Sequence, residues 1–229
     1  MTPNSGIVYL VPTPIGNMSD VSDRIREILS LVDIVACEDT RHSGSFLKKL
    51  EIRKQLISYH DFNETERAVQ LIAEVKNGKS IAVITDAGSP GISDPAYRIV
   101  KIAIENNLTI IPIPGPTAFV PALTASGLPT DRFFFEGFLS NKSATRKNRL
   151  SQLVDFPHTI IFYESPHRIN KTIADILEVF GDRQICIARE ISKKFEQFIR
   201  GSASEVLEII NKKNIKGEIV IIAEGSRNK

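Results

Sequence analysis

The chain contains no tryptophan, only two cysteines in 229 residues and almost no excess of either charge, with 29 Lys and Arg against 27 Asp and Glu. A net charge of +2 decides nothing about partners. Cys37 and Cys186 each lie in an apolar, strand-like run and read as small buried hydrophobes, not as a disulfide or zinc ligands. Neither His60 nor His167 has a histidine partner at i+4 or a nearby cysteine, and His42 and His158 carry no signal, so no metal is expected. Apolar runs of the roughly 20 residues that a membrane helix needs are missing too. The opening MTPNSGIVYLVPTP has no basic segment and too short an apolar run for a secretory signal, so a cytoplasmic protein is expected. Neither GxGxxG after a first strand nor GxxxxGK[ST] occurs, which removes the standard dinucleotide and P-loop readings. No internal repeat or low-complexity segment is present.

What is there is the composition of a globular protein, 42% hydrophobic and 24% charged. Within it, apolar strands alternate with amphipathic helices. Ile7 to Val11, Asp33 to Cys37, Leu56 to His60, Ile81 to Thr85 and Thr109 to Ile113 read as strands. Between them, helical spacing recurs through Ile25, Ile28, Leu29 and Val32, then Leu47 and Leu50, then Ala68, Leu71, Ile72 and Val75, then Tyr97, Val100 and Ile104. Repeated strand-helix alternation predicts a parallel sheet covered on both faces. Proline and glycine interrupt the pattern at Pro112 to Thr117, which sets a boundary between domains 1–116 and 117–229. Beyond it, Arg132 to Phe138, Thr159 to Glu164, Gln184 to Glu190, Glu196 to Gly201 and Glu218 to Ala223 read as strands. Only five residues separate the third and fourth of these, too few for a parallel crossover, so they pair as a hairpin and the second sheet is mixed. The fold class is therefore α/β in two domains, the first sheet mostly parallel and the second mixed.

The stretch SIAVITDAGSPGISDPA, Ser80 to Ala96, combines a buried strand, a glycine- and proline-rich turn and a helix start, with Asp94 and Pro95 read as N-cap and first-turn residue. In open α/β sheets ligands sit at the carboxyl ends of strands, where this loop lies. The loops PTPIGN, CEDTR, YHDFNE and PGPTA fall on the same edge. Several such loops on one side of one sheet make a binding cleft.

Together with SGLPTDRFFFEGFL (126–139), FYESPHR (162–168) and KKFE (193–196), these segments resemble the tetrapyrrole methylase superfamily, in its RsmI-type branch of ribosomal RNA small-subunit methyltransferases. The resemblance spans most of the chain in order. It departs from the usual pattern at Ala96, where glycine is expected, and at Ile191-Ser192, where leucine-threonine is common. It implies an S-adenosylmethionine (SAM) dependent enzyme with the cofactor in a cleft between two domains, working as a homodimer on 16S rRNA of the small ribosomal subunit. The implied reaction is 2′-O-methylation of a decoding-centre cytidine.

By motif, the resemblance places SAM against Pro14, Ala87, Gly88, Ser89, Ile92, Thr117, Ala118, Tyr163, Glu164 and Ala188. Asp86 either lines the same cleft or caps its own loop as an Asx turn. Attack by a weakly acidic ribose hydroxyl would be helped by a base, and the candidates are the polar strand ends Glu38, Asp39, His60, Asp61 and Glu64. Arg41 could hold a phosphate or steady a developing alkoxide. Lys142, Arg146, Lys147 and Arg149, with Lys193 and Lys194, form a basic set suited to RNA phosphates, or else a solvated helix face. The rival functions are methyl transfer to a precorrin-like tetrapyrrole and a non-catalytic ribosome-binding module.

Overall fold

Five short parallel strands build the first sheet, in the order β3-β2-β4-β1-β5. They are β1 (Ile7–Leu10), β2 (Ile34–Cys37), β3 (Gln55–Ser58), β4 (Ile81–Val83) and β5 (Thr109–Pro112). The computed structural model describes residues 6–213 and 215–226. Residues 1–5, part of the segment from which a secretory signal was excluded, lie outside these. Because successive strand residues face opposite sides of a sheet, the continuous apolar runs feed two cores. Tyr9, Val35, Cys37 and Ala82 pack with α1 (Asp23–Leu31) and α2 (Thr40–Lys49) on one face. Val8, Ile34, Ala36, Ile81 and Val83 pack with α3 (Glu64–Lys76) and α4 (Tyr97–Glu105) on the other. Each fully buried Ile or Val contributes about 1.5–3 kcal/mol relative to exposure.

The second sheet is mixed, in the order β6-β7-β10-β8-β9. β6 (Phe133–Phe138) runs parallel to β7 (Thr159–Glu164), whereas β10 (Ile219–Ala223) is antiparallel to both β7 and β8 (Gln184–Arg189). β8 and β9 (Gln197–Ser202) form the expected antiparallel hairpin, with Gln184 opposite Ser202 and Arg189 opposite Gln197. α6 (Ser143–Leu153), α7 (Ile169–Phe180) and α8 (Ala203–Asn211) bury Leu150, Ile173, Ile176, Val206 and Ile210 against one face. A capping box between Ser202 and Glu205 starts α8. A short helix, α5 (Phe119–Thr124), precedes β6. The chain divides into two units, Met1–Thr117 and Ala118–Lys229. Among the described residues no helix is long and apolar enough to cross a membrane.

Local boundaries differ from the sequence reading where a side-chain cap outcompetes periodicity. The first helix begins at Asp23, because the Ser22 hydroxyl accepts from Ile25 N at 3.3 Å, and Met18–Asp20 forms a separate 3-10 turn. β3 stops at Ser58, since Asn63 folds the next residues into a turn by accepting from His60 N at 2.9 Å and donating to Ser58 O at 3.3 Å. Asp94 is not an N-cap. α4 starts three residues later, at Tyr97, with Ala96 as its cap and no side-chain cap bond. Ala96 is buried, and its extended backbone, φ −176°, is open to any residue, so alanine needs no glycine-like freedom there.

Candidate active site

β1 and β4 are neighbours whose outgoing connections lead to opposite sides, β1 towards β2 and β4 towards β5, the arrangement that leaves a ligand crevice at strand ends. The loops leaving those strands are laced together. Thr13 N donates to Gly88 O at 2.9 Å, Gly88 N returns a bond to Thr13 O at 3.1 Å, and the Thr13 hydroxyl donates to Thr85 O at 3.0 Å. Ser89 Oγ lies 3.0 Å from Pro116 O and 2.5 Å from Thr117 Oγ1, which ties the same loop to PGPTA after β5. Two glycines make this possible. Gly88 adopts φ +91°, a region other residues avoid, and a Cβ on Gly115 would sit 2.8 Å from Pro12 Cβ. Ser93 is also held at φ +61°, a strained value for a residue with a side chain.

Pro14, Asp86, Ala87, Gly88, Ser89, Ile92 and Thr117 thus belong to one set of linked loops in the first unit. Ala87 and Ile92 are exposed, whereas Pro14, Ser89 and Thr117 are half-buried. Ala118 caps α5 in the second unit. Among the other second-unit candidates, Tyr163 packs edge-on against Phe135 and Phe138, with ring centroids 5.0 and 5.5 Å away. Ala188 is fully buried, paired between Val220 and Phe198. The Glu164 side chain is fully buried and already engaged: its carboxylate accepts from Ser165 N, Arg168 Nε and Thr172 Oγ1 at 2.7, 2.7 and 2.5 Å. That carboxylate orders the turn into α7 and has little capacity left for a ligand.

The five acid–base candidates separate by their partners. Asp39 caps α2 by accepting from Arg41 N at 2.8 Å and also pairs with the Arg41 guanidinium, which lowers its carboxyl to about 2. Glu64 pairs with Arg98 at 2.6 Å in the first turn of α3. At His60, Asn63 Nδ2 lies 3.2 Å from Nε2. An amide nitrogen can only donate, so this contact occupies Nε2. Asp61 is exposed on the same turn. Glu38 is different. Burial raises its pKa, and the nearby carboxylates of Asp86 and Asp61 raise it further, against a lowering by His60. Asp94, read from sequence only as a helix cap, belongs with Glu38: burial first, then Glu38, Asp86 and Asp61, push it up to about 7. Asp-Pro before a helix reads as a cap, and the crowding of carboxylates from three strand ends is tertiary, so no local signal marked Asp94. Among the described residues no three His, Cys, Asp or Glu side chains are grouped to hold a metal ion.

A cavity of about 220 Å³ opens beside this cluster, between α2 and the loops after β1 and β4. His42 reaches across part of it, with Nδ1 3.3 Å from Asp86 Oδ1.

The basic set is largely neutralised within its own unit. Arg146 is 2% exposed, with Nη2 2.6 Å and Nε 2.7 Å from Asp175 and Nη1 donating to Ser140 O, so it is a buried pin between α6 and α7 and not a phosphate contact. Its position four residues before Leu150 and seven before Leu153 puts it on the buried face, a signal the sequence did contain. Lys147 pairs with Glu178 at 2.6 Å, Arg149 grips Glu136 through two 2.7 Å bonds, and Lys193 lies 3.0 Å from both Glu190 and Glu218. Lys142 and Lys194 are exposed, and Lys194 lies over the ring of Phe195.

Residues 7–207 match the family model of tetrapyrrole (corrin/porphyrin) methylases. A ribosomal RNA small subunit methyltransferase I of Synechocystis is 45% identical over 96% of this chain and 80% of its own length. The protein of that name in Bacillus subtilis is 44% identical over 97% and 76%. Among solved structures, uroporphyrin-III C-methyl transferase from Thermus thermophilus, complexed with S-adenyl homocysteine, shares the fold with a TM-score of 0.65, 18% identity, and coverage of 96% of this chain and 97% of that one. With a matching model over most of its length and relatives 44–45% identical over nearly all of this chain, the chain belongs to the tetrapyrrole methylase family and, within it, to the ribosomal RNA small subunit methyltransferase I group.

Proposed function

We propose that this protein is a SAM-dependent methyltransferase of 16S rRNA, acting on the 2′-hydroxyl of a decoding-centre cytidine in the small ribosomal subunit. The observation that carries the reading is the laced edge of the first sheet, where a glycine-rich, hydroxyl-bearing loop set lies beside a cluster of carboxylates with raised pKa values. Relatives named for small-subunit rRNA methylation, and a fold neighbour solved with S-adenyl homocysteine, support the substrate and the cofactor.

The donor set fits a cofactor with an amino-acid carboxylate, a ribose and an adenine. Gly88 permits close backbone approach, Ser89 and Thr117 bring hydroxyls, and Pro14, Ala87 and Ile92 offer small or apolar walls. In the second unit the family resemblance assigns Ala118, Tyr163 and Ala188 to the same cofactor. When bound, SAM supplies an electrophilic methyl on a sulfonium. The protein's part is then to hold the ribose hydroxyl in line at short range and to take its proton during attack. Glu38 and Asp94 suit the proton step. Among the described residues no hydrogen bond or ion pair engages either carboxylate, and a raised pKa makes each a stronger base than an ordinary surface carboxylate. Arg41 is 92% exposed, and the guanidinium donors not used on Asp39 suit a phosphate. The same reading takes the protein to be a cytoplasmic homodimer, measurable as a dimer mass in solution.

SAM binding separates an enzyme from a non-catalytic module. Titration with SAM raises the melting temperature progressively if the folded state binds it, by about 2.7 kcal/mol of added stability at a hundredfold excess over Kd. A melting temperature indifferent to SAM would favour the module.

A further inference from the structure

The cavity beside Asp86 is walled on one side by Thr13, Pro14 and Thr85, of the loops proposed to seat the methyl donor, and on the other by α2, whose lining residues have no role in the reading so far. Its lining mixes an apolar part, Met18 and Phe46, with Ser45 and three charged or titratable groups, His42, Lys49 and Asp86. Its volume of about 220 Å³ falls below the roughly 300–1,000 Å³ of sites for drug-sized ligands. That suits one nucleobase with part of its sugar and is too small for a tetrapyrrole macrocycle. Lys49 is exposed and forms no ion pair among the described residues, so its charge is available for an anion. The Asp86 carboxylate is 43% exposed and faces His42 from one oxygen.

We propose that this cavity receives one cytosine nucleotide of the RNA substrate, splayed out of its stack, with Met18 and Phe46 against the base, Asp86 accepting from the exocyclic amine and Lys49 meeting a phosphate. The inference rests on the rRNA methyltransferase reading and gives that reading its base selectivity. Enzymes that modify nucleotides take them out of the stack into a pocket, and RNA sequence is read on unstacked bases through their Watson–Crick edges. A carboxylate accepts from the N4 amine of cytosine, whereas uracil presents a carbonyl oxygen at the same place and is repelled. Asp86 also heads the loop that carries Ala87, Gly88 and Ser89, so base recognition and the proposed methyl-donor seat are joined by one short segment.

The test fills the cavity and removes its charge in separate variants of the full-length protein. Ser45 is exposed on α2 and lines the cavity, so Ser45→Trp should raise the KM for isolated small subunits by about tenfold or more, with SAM affinity unchanged. Lys49→Ala, at an exposed helix position that folding does not depend on, should raise KM severalfold and flatten its salt dependence. Cytidine 5′-monophosphate should compete with subunits about tenfold better than uridine 5′-monophosphate, and Asp86→Asn should erase that preference, because an amide can serve either base. Wild-type KM in both Ser45→Trp and Lys49→Ala, or equal competition by the two nucleotides with the unaltered protein, would overturn the assignment while leaving rRNA methylation intact. Absence of methyl transfer to subunits by the unaltered protein would overturn the functional reading itself, and the cavity's role with it.

Discussion

At the scale of single residues, partners decide which of several similar side chains can do chemistry. Asp39 and Glu38 are adjacent, yet the Arg41 guanidinium and then a helix-cap bond hold one at about 2 while burial and neighbouring carboxylates raise the other. Asp94, at about 7, gives a prediction with a sign. A base works in its deprotonated form, so kcat should climb with pH through about 7 and level off above it. Glu38→Gln and Asp94→Asn should each lower kcat by about 10²–10⁴-fold if the replaced group is the base, with SAM affinity retained. Normal turnover in both would remove the pair from the mechanism. Stability should run the other way. Because the folded-state pKa of Asp94 is raised, the native state holds the extra proton between about 4 and 7, so its stability is greatest at low pH and is lost as pH rises through 7. Asp94→Asn should therefore melt about 2–4 °C higher at pH 8, the shift expected for about 1 kcal/mol in a chain of this size, with the full linkage discounted for remaining solvent contact. At pH 4 the difference should vanish.

Among elements, α6 shows why a charge run misleads. NKSATRKNRL reads as a basic face, but Arg146 turns inward to Asp175, and Lys147 and Arg149 are met by Glu178 and Glu136. These acids lie 13 to 31 residues away in sequence, so the pairing is invisible to local reading. Arg146→Ala leaves the buried Asp175 with only the Ser143 hydroxyl at 3.0 Å and Lys147 Nζ at 3.7 Å, and should destabilise the second unit by about 3 kcal/mol, the low end for a broken buried pair, measured by urea unfolding. Arg146→Met combined with Asp175→Leu should recover most of that loss, because apolar side chains of similar volume replace a buried pair at little cost. A stable Arg146→Ala protein with weakened RNA binding would instead restore its surface role.

For the whole molecule, sequence carried the architecture well because it was written in periodicity. Alternating apolar strands and amphipathic helices define the parallel sheet, and the short link between β8 and β9 requires the hairpin. Strand-end loops were legible for the same reason, through glycine, proline and small polar residues. What stayed hidden was relational: the Thr13–Gly88 lacing, the raised pKa of Asp94, and a cavity walled by two loops and a helix. Each depends on distances that only the folded chain sets. The central claim is tested most directly by incubating the protein with methyl-labelled SAM and isolated small ribosomal subunits, then mapping the label by nuclease digestion and mass spectrometry. The account predicts label on the ribose of a single decoding-centre cytidine; label on a base, on another nucleotide, or only on an added tetrapyrrole would contradict it.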